Sequence, residues 1–385
     1  MSQLKVNTIR HTGASSDSIT LASDGTATAK ITNNLSNRNL IINGAMNVAQ
    51  RGTSSTANTH ATVDRFSNAF GGTDEALTQT QHDLTSSDTG PWEKGFRHSW
   101  HIQNGNQTGG AGAGDYVNPQ YAVEAQDLAC SGWDYTSSSS YITLSFWAKS
   151  SVAQTFYHYI RTLDGTNQRY SFSYSLSANT WTKITKKIPG NSNIQIDNNN
   201  EAGMGIYLSL FLGTDRTDSG VSVDTWGAYA GGTRTPDQTS TWYTTNDATF
   251  ELTGVQLEVG DVATDFEHRP YSYELVRCQR YFRRDGGGQY TGYGIGVING
   301  NAGGIWTFSL DPPMRAAPTI TNDGNVRIYD GSANANVTGW NTNRSSAKNF
   351  WIEPTTSSNS FTSGKAFLVG NNDDTSGYLN LSAEL

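Results

Sequence analysis

Short runs in which apolar and polar residues alternate recur along most of this chain, separated by stretches rich in Gly, Asn, Ser and Asp. The apolar sets on single faces are Ile142, Leu144, Phe146 and Ala148; Tyr170, Phe172, Tyr174 and Leu176; and Met204, Ile206, Leu208, Leu210 and Leu212. A period of two between turn residues indicates β-strands with one buried face. The pattern therefore predicts an antiparallel β-sandwich, with no long helix before residue 270.

The run TFELTGVQLEV (residues 249–259) changes the phase of its alternation once. The apolar set is Phe250 and Leu252 before the change, and Val255, Leu257 and Val259 after it. The shift falls at Thr253-Gly254, and a glycine at such a position is typical of a β-bulge. We therefore expect one strand whose bulge keeps both apolar sets on the core side.

The apolar period lengthens after Pro270. Four residues are spaced four, three and four apart, as on one face of a short helix: Tyr271, Leu275, Cys278 and Phe282. A second β-rich unit follows and ends in a strand, YLNLSAEL, with Leu379 and Leu381 on one face. The predicted organisation is all-β: an N-terminal segment (1–38), a β-sandwich (39–270), a helical joint (271–284) and a C-terminal sandwich-like tip domain (285–385).

The N-terminal segment contains two strand-like runs, Leu4 to Ile9 and Ser18 to Leu21, and a turn signal at Asp24-Gly25. So short a segment cannot bury its own apolar residues. We expect it to become ordered by pairing with other copies or with a partner protein. The alternative is a flexible tail.

Composition and charge narrow the classes of function. The chain has 385 residues, enough for two or three domains, and its 10 Trp, 18 Tyr and 14 Phe argue against disorder. A net charge of −8 without a basic stripe argues against nucleic acid as a partner. No apolar run is long enough to span a membrane and no signal peptide is evident, so we expect cytoplasmic synthesis without membrane insertion.

No pattern of catalytic or metal-ligating residues is evident. The chain has no GxSxG, P-loop or HExxH motif, and Cys130 and Cys278 give neither a disulfide framework nor metal-thiolate spacing. His98 and His101, three residues apart in a strand, should point to opposite faces. The acidic turns at 215–218 and 371–374 are typical of solvated loops. We expect a protein that is not an enzyme and has no metal or cofactor.

Two aromatic groups are candidates for binding sugars, whose apolar faces stack on flat rings. The first lies in a loop, where binding residues are common: Trp226, Tyr229, Arg234, Asp237, Trp242 and Tyr243. The alternative is that Trp226 and Trp242 cap the sandwich or lie in a subunit interface. The second group is Tyr290, Tyr293 and Trp306 at the tip, where a core role is equally open.

One local basic cluster contains Arg269, Arg277, Arg280, Arg283 and Arg284. It is predicted to be a solvated helix face, or to pair with carboxylates of a neighbouring copy, in preference to the alternative of an anion-binding site.

Three blocks in order along the chain resemble a module of bacteriophage tail-fibre and other virion proteins: NLIINGAMNVAQRG, ITLSFWAKS and FELTGVQLEVGDVATDFEHRPYSYELVRCQRYF. That module looks like the jelly roll of certain carbohydrate-binding modules. The resemblance covers roughly residues 39–282. PPMRAAPTIT (residues 312–321) and the terminal SAEL are similar to what often follows it, and LKVNTIR resembles N-terminal pieces of marine cyanophage virion proteins.

The resemblance implies a homotrimeric tail fibre in the phage virion. Residues 1–38 would attach it to other tail or virion proteins, and the protein would bind host cell-surface polysaccharide. One alternative is a purely structural capsid-fibre or tail-decoration protein. A second is a polysaccharide-degrading tailspike, although such enzymes usually carry the short repeats of a β-helix and this chain shows none.

Overall fold

The computed structural model describes residues 6–25, 27–29, 37–300, 302–357, 360–371 and 375–385. Its strands are β1 (Thr8–Ile9), β2 (Ile19–Leu21), β3 (Ala27–Ala29), β4 (Ser54–Ser55), β5 (Phe66–Gly71), β6 (Thr78–Asp83), β7 (His98–Gln103), β8 (Tyr116–Glu124), β9 (Tyr141–Ser150), β10 (Gln154–Thr162), β11 (Gln168–Leu176), β12 (Thr182–Pro189), β13 (Ala202–Tyr207), β14 (Phe211–Leu212), β15 (Thr225–Ala228), β16 (Thr249–Val259), β17 (Phe282–Gly286), β18 (Gly292–Ile298), β19 (Gly304–Ser309), β20 (Thr319–Asp323), β21 (Val326–Tyr329), β22 (Asn334–Asn341), β23 (Asn349–Thr356), β24 (Ala366–Asn371) and β25 (Tyr378–Ser382). The helices in these residues are short: α1 (Ala125–Ala129), α2 (Thr241–Thr244) and α3 (Tyr271–Gln279), with a 3-10 turn at Trp92–Lys94. The predicted all-β class is confirmed.

Two antiparallel sheets form the predicted sandwich. In the first, which we call the large sheet, β8 pairs with β5 on one side and with β13 and β14 on the other, and β10, β11 and β15 follow. The second sheet has the order β12, β9, β16, β7, β6, β4. The predicted apolar faces of β9 and β11 meet in one buried cluster between the sheets, which joins Phe146 to Phe172. Because successive side chains alternate, the other residues of each strand form an outer face.

The predicted β-bulge lies in β16. Its pairing with β9 shifts register between Thr253 and Gln256, and Gly254 has a φ of 64°. A Cβ atom at Gly254 would lie 2.6 Å from the ring of Phe96. Only glycine combines the left-handed backbone with this close approach. Phe250, Leu252, Val255 and Leu257 stay buried on either side of the bulge, as the alternation indicated, but Val259 at the end of the strand is exposed, so its predicted place on the core side is wrong.

The predicted helix after Pro270 is α3, but its buried face differs from the expected one. Cys278 is fully buried, whereas Tyr271 is exposed and Phe282 already belongs to β17. Glu274 is buried instead, because its carboxylate accepts a hydrogen bond from the backbone N–H of Asn43. The helix therefore closes over the first turn of the sandwich through a polar contact that apolar spacing could not show.

Four of the five arginines of this cluster pair within the chain, so for them the expectation of a solvated or intermolecular role is wrong, whereas Arg277 has no ion pair among the described residues. The ion pairs of the cluster are Arg269 with Glu267 (3.1 Å) and Glu274 (3.6 Å), Arg280 with Glu124, Arg283 with Asp285 (2.9 Å), and Arg284 with Asp323 (2.9 Å). These carboxylates are spread from residue 124 to residue 323. Glu124 and Asp323 reach the cluster only in the folded chain, so a local pattern could not show them, whereas the other carboxylates lie within five residues of their arginines.

The C-terminal unit, expected to be sandwich-like, contains a closed six-stranded barrel with the order β18, β19, β23, β22, β21, β24. A separate three-stranded sheet, β17-β25-β20, ties this barrel to the joint. The predicted terminal strand is β25, and Leu379 and Leu381 are buried on one face as expected. Arg315, in the PPMRAAPTIT block, donates to the carbonyls of Asn200 (2.7 Å) and Ala383 (2.8 Å). The chain thus leaves the joint, forms the barrel and returns to the joint.

The N-terminal strands form a small antiparallel sheet, β1-β2-β3, with the predicted turn at Asp24-Gly25 between β2 and β3. The start of the predicted run from Leu4 lies outside the described residues, as does the acidic turn at 372–374. Ile9 and Leu21 are exposed in this sheet. Its apolar side chains therefore find no core within the described part of one chain.

Candidate functional site

Trp226 and Tyr229, two aromatic residues of the predicted sugar-binding loop, lie on opposite sides of the large sheet. Successive residues of a strand point to opposite faces. Trp226 points inward against the ring of Tyr170 (centroids 5.3 Å apart), and its indole N–H donates to the carbonyl of Pro189 (2.7 Å). Tyr229 is three residues further on and lies on the outer side of the large sheet. Trp226 therefore closes the edge of the sandwich, and Tyr229 presents its ring on the outer face; both residues are half-buried.

Trp242 and Tyr243 lie in α2 and are both 0% exposed. The Trp242 indole N–H donates to the carbonyl of Thr249 (3.1 Å). The Tyr243 hydroxyl lies 3.2 Å from a carboxylate oxygen of Asp115, and its ring stacks on Phe211 at 4.5 Å. With no accessible ring face, neither residue can stack on a sugar in this structure. Their position is that of the alternative in which the rings cap the sandwich.

Tyr229 belongs to a ladder of aromatic rings on the outer face of the large sheet. Tyr159 and Tyr207 face each other across β10 and β13 with parallel rings 4.4 Å apart. Tyr229 is stacked 6.4 Å from Tyr159, and the guanidinium of Arg161 lies 3.9 Å from the centre of the Tyr229 ring. Tyr159 is buried, whereas Tyr207 and Tyr229 are half-buried. The ladder therefore offers two partly accessible rings beside an arginine.

The loop after β15 is held against this outer face by hydrogen bonds. The hydroxyl of Ser171 donates to the carbonyl of Arg234 (2.7 Å), and Arg169 donates to the carbonyl of Thr233 (3.0 Å). Arg234 itself is half-buried and donates to the carbonyl of Gly231 (3.0 Å). Asp237 is exposed and accepts a hydrogen bond from the Thr217 hydroxyl (2.8 Å). Arg234 therefore remains part of the candidate face, and Asp237 lies at its rim.

Four residues of the outer face were not identified from the sequence: Tyr159, Arg161, Arg169 and Tyr207. The alternation of inward-facing and outward-facing side chains along each strand could have indicated them. Phe156 and Ile160 of β10 face the core, so Arg161 must point outward. A large ring or an arginine on the outward parity of a strand could have indicated a covered or functional outer face. The alternation alone would still not show the partners of these residues, because they come from strands far apart in sequence.

A groove continues from this face toward the joint. Its volume is about 130 Å³, and its lining includes Gln120, Gly205, Tyr207 and His60. A Cβ atom at Gly205 would lie 2.6 Å from the Tyr207 ring, so this glycine lets the ring lie flat on the strand. The ladder and the groove together form one polar and aromatic surface, which we call the tyrosine–arginine face: Tyr159, Arg161, Arg169, Tyr207, Tyr229 and Arg234.

The predicted tip residues do not form one surface. Trp306 is buried in the barrel and stacks on Phe308 at 4.6 Å. The hydroxyl of Tyr293 bonds to Asn371 and to the carbonyl of Gly377 (3.1 Å). Tyr290 is 58% exposed. Tyr290 is therefore the tip candidate whose ring a ligand could reach most easily.

The histidines do not gather into a metal site. His98 lies 3.4 Å from a carboxylate oxygen of Asp83, whereas the ring of His101 lies 5.5 Å from that of His82. Within the part of the chain that the structure describes, no group of three or more His, Cys, Asp or Glu side chains could hold a metal ion. In the same residues, no helix has the length and apolar character needed to cross a membrane.

No family model and no curated protein matches the chain. Among solved structures, the enzymatically active domain of bacteriophage CBA120 tailspike protein 4 is similar at 14% identity and a TM-score of 0.30, over 58% of this chain but only 22% of that one. The N-terminal cellulose-binding domain of Cellulomonas fimi β-1,4-glucanase C is similar at 12% identity and a TM-score of 0.27, over 56% of this chain and 99% of that one. The tandem CBM22-1–CBM22-2 domain of Paenibacillus barcinonensis Xyn10C is similar at 8% identity and a TM-score of 0.28, over 93% and 100%. Values this low carry no argument about ligand or activity.

Proposed function

We propose that this chain is a virion protein of a bacteriophage, a homotrimeric tail fibre that binds glycan on the host surface and does not cleave it. The observation that carries the binding role is the tyrosine–arginine face, where Tyr207 at the end of β13 and Tyr229 directly after β15 lie partly accessible on the outer side of the large sheet. Rings held on a sheet lose little entropy when a sugar stacks on them. The virion setting is supported by the sequence blocks that resemble phage virion proteins.

The chemistry of the same face supports binding without cleavage. Its functional groups are tyrosine and arginine side chains. Most glycoside hydrolases instead use a pair of carboxylic groups that flank the scissile bond. We therefore assign the face to recognition, with the polysaccharide-degrading tailspike as the alternative that a product assay would reveal.

Apolar side chains that one chain leaves exposed support the trimer. In the N-terminal sheet they are Ile9 and Leu21. On the barrel, Leu368 lies between Ile295 and Tyr329 as their cross-strand partner, and all three are exposed. Contiguous exposed apolar residues commonly mark contacts between proteins. In the proposed fibre, other copies of the chain cover these surfaces, and residues 1–38 also contact the tail.

The binding role is tested with the recombinant chain on a glycan array and in host-cell adsorption. We expect Tyr229→Ala to lower binding at least tenfold, because it removes a stacking ring. Tyr290→Ala, which removes an exposed ring of the barrel, is the matched control and should leave binding unchanged. The reverse result would move the site to the barrel, and binding to virion proteins without any glycan would favour the structural alternative.

The other two parts of the proposal have separate readouts. Mass photometry should give a trimer, and a monomer would refute the proposed assembly. Incubation with host polysaccharide should release no reducing ends. If reducing ends appear, the chain is a depolymerase and the non-enzymatic assignment fails.

A further inference from the structure

Two arginines of the tyrosine–arginine face oppose each other directly. Arg161 on β10 and Arg169 on β11 are register partners, and glycines flank them in the same row, Gly205 on β13 and Gly227 on β15. Like charges at opposed positions of a sheet are destabilising. These glycines place no charged side chain in the row: the ring of Tyr207 lies over Gly205, and the guanidinium of Arg169 lies over Gly227.

The hydrogen-bond partners of these arginines are uncharged. With the side-chain amide of Asn167 oriented to satisfy its neighbours, its oxygen accepts a hydrogen bond from Nε of Arg161 (3.1 Å). Arg169 and Arg234 donate to backbone carbonyls of the covering loop. None of the three has a described carboxylate within ion-pair distance. Their hydrogen-bonding groups are thus partly satisfied, but their charge is not neutralised.

Arg169 shows that this charge is held at a cost. Arg169 is 8% exposed, and its Nε atom has no hydrogen-bond partner in the described structure. Burial lowers the pKa of its guanidinium. A buried charge without a counter-ion is unfavourable. An anion that bound beside Arg161 and Arg169 would remove this penalty as well as form new hydrogen bonds.

We propose that the tyrosine–arginine face binds an acidic polysaccharide, with carboxylate or sulfate groups on Arg161, Arg169 and Arg234 and sugar rings on Tyr207 and Tyr229. This inference rests on the proposed glycan-binding function and specifies its ligand class. Guanidinium groups form paired hydrogen bonds with carboxylates and sulfates and are weakly hydrated. Alternating tyrosines and arginines match a polymer that carries both apolar ring faces and regularly spaced charges.

The experiment compares acidic polymers with neutral polymers of similar backbone. Polygalacturonate is paired with its carboxyl-reduced form, and dextran sulfate with dextran, so that carboxylate and sulfate are tested separately. Binding of the full chain is measured by calorimetry at low and high salt. We expect at least one acidic polymer to bind tenfold or more tighter than its neutral partner, and the difference to shrink at high salt.

Single substitutions test whether the preference for acidic polymers depends on the tyrosine–arginine face. Arg161→Gln and Arg234→Gln should each lower affinity for the acidic polymer about tenfold. Arg161→Lys should retain part of this affinity, because lysine keeps the positive charge. Arg344→Gln, which removes the same charge from the barrel surface, should have no effect. Circular dichroism of each variant verifies that it is folded.

Three results would overturn the inference, and they separate it from the proposed function. Equal binding of acidic and neutral polymers would refute the anionic ligand but retain glycan binding. An acidic preference that Arg161→Gln and Arg234→Gln leave intact would place the anion elsewhere. Absence of binding to every polymer, together with a blank glycan array, would refute both proposals.

Discussion

The molecule contains two groups of arginines that differ in their partners: around the joint, Arg65, Arg269, Arg280, Arg283 and Arg284 have carboxylate partners, and on the tyrosine–arginine face no arginine has one among the described residues. At the joint, Arg65 is buried beneath the ring of Tyr281 and pairs with Glu384. On the outer face of the large sheet, Arg161 and Arg169 oppose each other and contact neutral groups. The same residue type therefore forms ion pairs between the sandwich and the C-terminal unit in one place and keeps an unpaired charge in the other.

The difference follows from where each charge must lie. The joint buries charge on both sides, because the returning C-terminal strand covers Arg65 while β8 supplies Glu124 to Arg280 and to the Tyr281 hydroxyl (2.6 Å). Removing one partner of such a pair leaves an uncompensated charge. At the outer face, Arg161 and Arg234 are only partly buried, so an unpaired charge is tolerated there.

The largest expected effect is that of Glu384→Gln, which removes the anion of the joint and keeps its shape. Burial alone would raise the pKa of Glu384, but Arg65, His60 and Arg51 lower it to about 2, so the carboxylate is ionised at neutral pH. Its loss leaves Arg65 buried without a counter-ion. We expect the free energy of unfolding to fall by about 3–5 kcal/mol, measured by urea denaturation at pH 7.

The control for this variant is Asp261→Asn, which removes an exposed carboxylate 3.2 Å from Lys187. A surface pair of this kind contributes less than about 1 kcal/mol. If Glu384→Gln were no more harmful than Asp261→Asn, the joint charges would not hold the domains together and the contrast with the outer face would lose its basis.

His158 represents a third kind of titratable group, one that is buried and has no hydrogen-bond partner among the described residues. His158 is fully buried in the sandwich, neither of its ring nitrogens has a described hydrogen-bond partner, and its ring lies 4.7 Å from that of Tyr174. Burial, with a contribution from Lys186, lowers its pKa to about 3. The folded state therefore holds His158 neutral, whereas the unfolded chain protonates it below pH 6.5, so stability falls as the pH drops from 6.5 toward 3.

We expect His158→Leu to remove this dependence. The loss of unfolding free energy between pH 8 and pH 5 should be smaller by about 2 kcal/mol than in the unchanged chain. His60, whose pKa is lowered by burial to about 4 despite the nearby Glu384 carboxylate, will retain a similar contribution. Phe156→Leu, a neighbouring core change without a titratable group, should lower stability equally at both pH values. An unaltered pH dependence in His158→Leu would show that the ring is not held neutral.

The sequence predicted the strands, the bulge and the joint well because each leaves a local trace. Period-two alternation, a glycine at Gly254 and a change of period after Pro270 all lie within a few residues of the features they indicate. The site was predicted less well. Tyr229 and Arg234 lie on the candidate face, but the ring of Trp242 is buried and Arg161 was overlooked. The composition of a loop does not show which of its rings will be covered by strands distant in sequence. The carboxylate that pairs with an arginine can also be distant, as Glu384 is 319 residues from Arg65.

The smallest expected effect is that of Arg161→Gln on stability, and it tests the comparison most directly. The change relieves the repulsion with Arg169 and loses the contact with the Tyr229 ring, so the free energy of unfolding should change by less than about 0.5 kcal/mol. The same substitution at the joint, Arg280→Gln, should cost about 1–3 kcal/mol because Glu124 is left buried. Urea denaturation of both variants measures the difference. If Arg161→Gln destabilises the fold as much as Arg280→Gln does, the outer-face arginines are structural too, and their unpaired charge no longer points to a ligand.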